Sequence, residues 1–399
     1  MLRLSRILHQ AQHPDASPAQ RRVPQAGQRS AGPVVIWNLT RRCNLTCTHC
    51  YASSADRTYP GETPTTEIDA ILGHLRDYRV PALILSGGEP LLHPDLEDII
   101  ARAKSLGFHV GVSSNGMGVD APRARRFAHL GVDYLGISLD GLGEVHDRFR
   151  NHKGAFDAAL TGLRHARDAG LAVGMRFTLT GDNACDFPGM LELMQREAVG
   201  KFYLSHLNYA GRGARNAHRD ARFDATRQTM ESLFAHAWAA VAQGDAQEFV
   251  TGNNDADGVF LLHWLARHHP GVLPRAHALL QRWGGNASGV HVANIDPLGQ
   301  VHPDTMWWDV TLGNARERPF GDIWDDRSHA IMDGLKQRPR PLGGRCGVCA
   351  HQTLCNGNSR IRAWRTFGDP WAEDPGCYLH DEECQSLPVT TDLLCGDTP

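Results

Sequence analysis

The 399-residue sequence has no run of about 18 apolar residues, which excludes a membrane-spanning helix. Its first 32 residues carry five Arg and one Asp but no apolar stretch, so they do not read as a secretory signal. An excess of one charge is missing as well. The 41 Lys and Arg against 44 Asp and Glu leave a net charge of −3, which argues against a nucleic-acid or other polyelectrolyte partner. There is no internal repeat beyond an alternation of strand-like and helix-like pieces, and no low-complexity tract. Cysteine, by contrast, is plentiful, with ten residues. A disulfide framework suits short secreted chains, so a reducing, cytoplasmic setting with metal chemistry is expected here.

Residues 1–32 read as a flexible N-terminal extension, although Leu2, Leu4, Ile7 and Leu8 could line one or two amphipathic turns. From Val34 the pattern changes. Strands are expected at Val34–Trp37, Ala82–Leu85, Phe108–Ser113, Tyr134–Ser138, Ala172–Leu179 and Lys201–Leu207, with helical stretches between them. Strands alternating with helices predict an α/β fold with a parallel sheet. Six of them over 33–207 fall short of an eight-stranded barrel and predict a partial (β/α)6 barrel. A helical linker region is expected over 208–288. A β-hairpin turning at Asp296-Pro297-Leu298-Gly299 then opens a small cysteine-rich domain over 289–384, and 385–399 reads as a tail.

Cys43, Cys47 and Cys50 follow the first strand with the spacing Cys-x3-Cys-x2-Cys. Three thiolates in one loop can hold three irons of a cubane and leave the fourth open, and an open metal position is where chemistry occurs. A structural zinc needs four ligands, and His49 would have to be the fourth in that alternative. A second group, Cys346, Cys349, Cys355 and Cys377, supplies four thiolates that suit either a [4Fe–4S] cluster or a zinc. Cys384 stands close enough in sequence to replace Cys377.

The first loop, placed after the first strand of a partial barrel, resembles the radical S-adenosylmethionine (SAM) superfamily. That resemblance implies SAM bound to the open iron and cleaved to a 5′-deoxyadenosyl radical. Ser86-Gly87-Gly88-Glu89-Pro90 resembles the family's Gly-Gly-Glu motif: two glycines for close backbone approach to SAM and Glu89 to accept from its ammonium. By the same resemblance Asn115, Ser138, Asp140, Arg150 and Arg176 contact SAM. The C-terminal cysteines resemble a SPASM/twitch-like domain with an auxiliary cluster. Asp304 stands where fuller versions carry another cysteine, so one auxiliary [4Fe–4S] cluster, and two in all, are implied.

Longer stretches, among them 203–213, 251–258, 302–309 and 368–377, resemble the NirJ family, the radical SAM proteins of haem d1 biosynthesis. The implied substrate is an iron tetrapyrrole, didecarboxysirohaem, which loses two propionates on the way to the oxo groups of haem d1. The implied electron donor is a flavodoxin or ferredoxin. A flat carboxylate-bearing ligand wants aromatic walls and arginines, for which Trp307, Trp308, Tyr209, Arg212 and Arg215 are available. His206, His263 and His302 could reach its iron. The alternatives are a related enzyme that modifies a peptide or decarboxylates haem propionates, and a non-enzymatic cysteine-rich metal protein.

Overall fold

The computed structural model describes residues 1–13, 32–221 and 223–386. These fall into two compact units, one of residues 32–221 with 287–337, the other of 1–13, 223–286 and 338–386.

The first unit is built on six parallel strands: β1 (Val34–Asn38), β2 (Ala82–Ser86), β3 (His109–Ser114), β4 (Tyr134–Ser138), β5 (Val173–Leu179) and β6 (Lys201–His206). Helices Thr65–Asp77, Leu96–Ser105, Ala121–His129, Ala155–Asp168 and Phe187–Arg196 connect them, as expected of a partial barrel. After β6 the chain enters the second unit, which contains β7 (Glu248–Gly252). It comes back to the first with β8 (Val292–Ile295), β9 (Gln300–His302) and β10 (Gly313–Asn314).

The hairpin does not open a separate cysteine-rich domain. β8 pairs in parallel with β1, Val34 against Val292 and Trp37 against Ile295, so the barrel sheet is extended to β10-β9-β8-β1-β2-β3-β4-β5-β6. The division expected at residues 288 and 289 is corrected accordingly. Residues 287–337 belong with the barrel, and 223–286 with the C-terminal cysteines.

The two faces of this sheet differ. Val35, Leu83, Leu85, Val112, Ile137, Met175, Phe177 and Leu204 point to the helices and are fully buried. On the other face Ile84, Ser86, Ser113, Ser138, Arg176 and Tyr203 remain half-exposed. Parallel sheets usually bury both faces, so the inner side of this one is less covered than its outer side.

In the second unit the expected flexible lead-in is corrected for residues 1–13. Leu4–Gln12 is a helix whose Leu4, Leu8 and Ala11 are fully buried against helices Phe223–Ala242 and Leu273–Trp283. Leu2 exchanges both backbone hydrogen bonds with Thr251 of β7, at 2.8 and 2.9 Å. Burying that apolar stripe offsets the ordering cost of a short helix. Residues 14–31 and 387–399 lie outside the described residues. Among the described residues no helix is long and apolar enough to cross a membrane.

Candidate functional site

At the end of β1 the chain turns into the first cysteine loop. Cys43 and Cys47 are buried around Leu45, with Cys50 and Met117 packed against them. The Leu45 N–H donates to Cys43 Sγ at 3.4 Å, and Arg150 Nη1 donates to Cys47 Sγ at 3.5 Å. Burial, reinforced by the neighbouring thiols and Glu89, pushes Cys43 up to about 12. Burial likewise raises Cys47, against the pull of Arg150. Thiols held this way give up their protons readily only to a cation seated among them, which fits the loop to a cationic iron–sulfur core.

His49, the alternative zinc ligand, stacks on Phe149 with ring centroids 4.5 Å apart. Burial and then Arg150 and Arg212 hold its pKa well below the ordinary value.

A feature the sequence reading did not assign fastens this loop. Arg212 Nε donates to the Cys47 carbonyl at 2.7 Å, its Nη1 to that of Ser54 at 2.8 Å, and its backbone N–H to that of Cys50 at 2.9 Å. Gly211 has φ +55°, and a Cβ there would lie 2.2 Å from the Tyr51 carbonyl oxygen. Asn216 Nδ2 adds a bond to Thr48 O at 2.8 Å. The run Gly211–Asn216 is thus a buckle across the cysteine loop.

Gly87 and Gly88 are needed for a contact different from the one expected. A Cβ on Gly87 would come within 2.5 Å of Thr40 O, and one on Gly88 within 2.3 Å of Arg42 O. Their bare backbones let the β2 loop lie against the stem of the cysteine loop. There Gly88 N–H donates to Thr40 O at 2.6 Å and Glu89 N–H to Arg42 O at 2.9 Å. Glu89 is buried, and its carboxylate accepts from Ser114 Oγ (2.8 Å), Asn115 N (2.8 Å) and Leu91 N (3.2 Å). Burial raises its pKa, and those three donors oppose the rise. A carboxylate offers about four acceptor sites, so capacity for a further donor remains. Asn115 Nδ2 reaches Asn44 in the cysteine loop at 2.8 Å.

Asp140 and Arg150 form a buried ion pair. Asp140 also accepts from Thr178 N at 2.6 Å, while its own N–H donates to His146 Nδ1 at 2.9 Å. Through Arg150 this pair carries a fixed positive charge to Cys47. Ser138 and Arg176 are register partners on β4 and β5, and Arg176 Nη1 donates to Ser113 Oγ at 2.6 Å.

The substrate candidates separate. Trp307 is core, at 1 % exposure. Trp308 is half-buried, with its ring 6.0 Å edge-on from Tyr51, the residue after Cys50. Arg212 is spent on the buckle, and Tyr209 donates to Asp220 Oδ2 at 3.0 Å. Arg215 lies in the same short helix as Arg212, and the structure gives it no role. His302 is fully buried, with Nδ1 2.8 Å from Val310 O, and is corrected to a core residue. His206 and His263 are buried too, His263 Nε2 lying 3.2 Å from Glu383 O. Asp304 caps its own turn, accepting from Met306 N at 2.7 Å and from Ser288 Oγ.

In the second unit Cys346, Cys349, Cys355, Cys377 and Cys384 line one cavity. Four of them receive backbone N–H groups: Cys346 from Asp374 at 3.4 Å, Cys349 from His351 at 3.5 Å, Cys355 from Gly357 and Cys377 from Leu379. Such donors stabilise thiolates. The thiols of Cys349, Cys377 and Cys384 share hydrogen bonds, which lower Cys349 and Cys377 and raise Cys384. Arg360 Nη2 lies 3.9 Å from Cys346 Sγ, and the buried Arg362–Asp374 pair (2.8 Å) holds the segment that carries Cys377. Among the described residues no three Cys, His, Asp or Glu side chains converge tightly enough to hold a single ion. A cubane places each thiolate on a separate iron and needs a wider cradle.

The Radical SAM superfamily matches residues 37–194 of the chain. The pre-heme d1 synthase of Dinoroseobacter shibae is 49 % identical over 381 residues, which is 95 % of this chain and 92 % of that protein. The Fe-coproporphyrin III synthase of Methanosarcina barkeri is 39 % identical over 355 residues, 88 % and 89 % of the two chains. In fold, the chain is similar to Streptococcus suis SuiB bound to S-adenosylmethionine. That match has TM-score 0.66 and 14 % identity, covering 90 % of this chain and 78 % of that one. It is also similar to anSMEcpe with bound AdoMet and a peptide, with TM-score 0.66 and 15 % identity over 86 % and 93 %.

Proposed function

The chain belongs to the radical SAM superfamily and is an enzyme, and from that premise we propose that it removes two propionate side chains of didecarboxysirohaem, those on its reduced rings, on the way to the oxo groups of haem d1. The coarser statement, a radical SAM enzyme of tetrapyrrole biosynthesis, rests on its near-full-length relatives. The finer one is carried by a single observation, the similarity to pre-heme d1 synthase across almost the whole of both chains.

In this reading Cys43, Cys47 and Cys50 would hold three irons of a [4Fe–4S] cluster. With an electron from a flavodoxin or ferredoxin, SAM bound there would supply a 5′-deoxyadenosyl radical able to take hydrogen from a propionate carbon. That carbon is unactivated, so no side-chain base could remove its proton. The chain's own residues orient and exclude. Asp140 fixes Arg150, whose guanidinium stays at Cys47 and is the cation for SAM's carboxylate. Glu89, braced by Ser114 and Asn115, offers its remaining acceptor capacity to SAM's ammonium. Asn115 flanks it, and Ser138 stands on β4 in register with Arg176. Gly87 and Gly88 join the two loops so closely that water has little room between them.

We assign Cys346, Cys349, Cys355 and Cys377 to a second [4Fe–4S] cluster, on the strength of their four N–H donors, with Cys384 hydrogen-bonded to that set. The anaerobic protein then carries about eight irons per chain. Incubated with SAM, a reductant and didecarboxysirohaem, it should yield by mass spectrometry a tetrapyrrole lacking those two propionates and one 5′-deoxyadenosine for each side chain attacked. Turnover of iron coproporphyrin instead, with didecarboxysirohaem untouched, would refute the assignment.

A further inference from the structure

The inner face of the barrel sheet carries an arginine, Arg176, held by a hydroxyl and an aromatic ring, with Asp140 as the carboxylate in electrostatic range. Arg176 stands in register between Ser138 on β4 and Tyr203 on β6. Its stem lies flat along the sheet because the next residue pair offers no side chains. Gly136 pairs with Gly174, and a Cβ on Gly136 would meet Arg176 Cδ at 2.9 Å. The guanidinium gives one N–H to Ser113 Oγ at 2.6 Å and lies 5.1 Å from the centre of the Tyr203 ring.

Of the other arginines described above, Arg150 is paired with Asp140 beside Cys47 and Arg212 is bonded to backbone carbonyls. Arg176 forms no salt bridge among the described residues. A guanidinium has five N–H donors and keeps its charge at any physiological pH. Half-buried on the less covered face of the sheet and braced on two sides, it is built to receive a planar anion.

The reading above supplies two carboxylate bearers, SAM and the tetrapyrrole. The fixed charge beside the cysteine loop is Arg150, which touches Cys47. Arg176 makes no hydrogen bond or salt bridge to the loop or its buckle among the described residues, and only its charge reaches Tyr51. We propose that Arg176, braced by Ser113 and Tyr203, binds a carboxylate side chain of the tetrapyrrole and fixes which edge of the macrocycle faces the radical. This rests on the tetrapyrrole reading above and replaces the SAM contact expected for Arg176 from the family resemblance.

The test compares wild type with Arg176→Gln and Arg176→Lys under anaerobic conditions. Didecarboxysirohaem and an iron porphyrin without carboxylates are titrated by their visible absorption, and SAM is titrated by equilibrium dialysis. Arg176→Gln should weaken didecarboxysirohaem about tenfold to a hundredfold, the loss expected for one charge-assisted contact, with Arg176→Lys in between. The carboxylate-free porphyrin should bind all three proteins alike, and SAM affinity should stay within about twofold. Unchanged affinity for didecarboxysirohaem in Arg176→Gln would overturn the anchor, as would a parallel loss for SAM. A wild type that binds no didecarboxysirohaem would instead overturn the substrate reading, and the anchor with it.

Discussion

Asp140, Arg150 and His146 show what burial asks of individual residues beside a metal loop. The Asp140–Arg150 pair is almost fully buried, and deleting either partner would strand the other charge. His146 is held neutral. Burial, and then the positive charge of Arg150, push its pKa from 6.5 down to about 2, while its Nδ1 accepts from the Asp140 N–H. The sign follows from the lowered value. The stability that neutral His146 contributes is present above pH 6.5 and is lost progressively as pH falls toward 2. His146→Asn keeps a side-chain acceptor and removes the titrating group. Urea unfolding from pH 7.5 to 5 should therefore fall off less steeply for the variant, by up to about 1.4 kcal/mol per pH unit below 6.5. Parallel profiles would show that His146 is not held neutral by the fold. At this scale the cysteines were legible because their spacing is itself the chemistry. The use of Arg212 was not, since its carbonyl partners lie about 160 residues upstream and carbonyls leave no mark on a sequence.

Among elements, strands and helices of the barrel fall within a residue or two of the positions their periodicity implies, because each strand's outer face alternates into a fully buried layer. The hairpin was legible as a hairpin but not as the strand pair that extends the sheet, because parallel pairing of β8 with β1 is a long-range event with no local signal. The N-terminal helix was missed as an element because its apolar stripe is short and its partners come from 220 residues onward. The buckle at Gly211–Asn216 gives the sharpest test at this scale. Gly211 combines φ +55° with a carbonyl 2.2 Å from where a Cβ would sit, so Gly211→Ala must shift the buckle or the cysteine loop. We expect a loss of stability of about 2–4 kcal/mol and anaerobic iron content lowered on the Cys43–Cys50 cluster. The reduced signal of the C-terminal cluster should persist in electron paramagnetic resonance. Full iron content with normal stability would remove the buckle from the account.

Taken whole, the chain has two compact units, and each holds one of the two cysteine groups. Cys43, Cys47 and Cys50 are local and were readable as one loop. Cys346 to Cys384 were readable as a group, and folding gathers all five into one cavity. Function was legible in the same uneven way. The motifs pointed to SAM chemistry, and long stretches pointed to tetrapyrroles, while the substrate residues could be named only by type. The structure retires Trp307, Arg212 and His302 from that set and leaves Trp308 near the loop. The central claim is that hydrogen leaves a propionate side chain for the 5′-deoxyadenosyl radical. The most direct measurement is turnover of didecarboxysirohaem deuterated on its propionate methylene carbons, with mass analysis of the 5′-deoxyadenosine formed. The account predicts deuterium in that product, in step with loss of the side chains. Side-chain loss with unlabelled 5′-deoxyadenosine would contradict it.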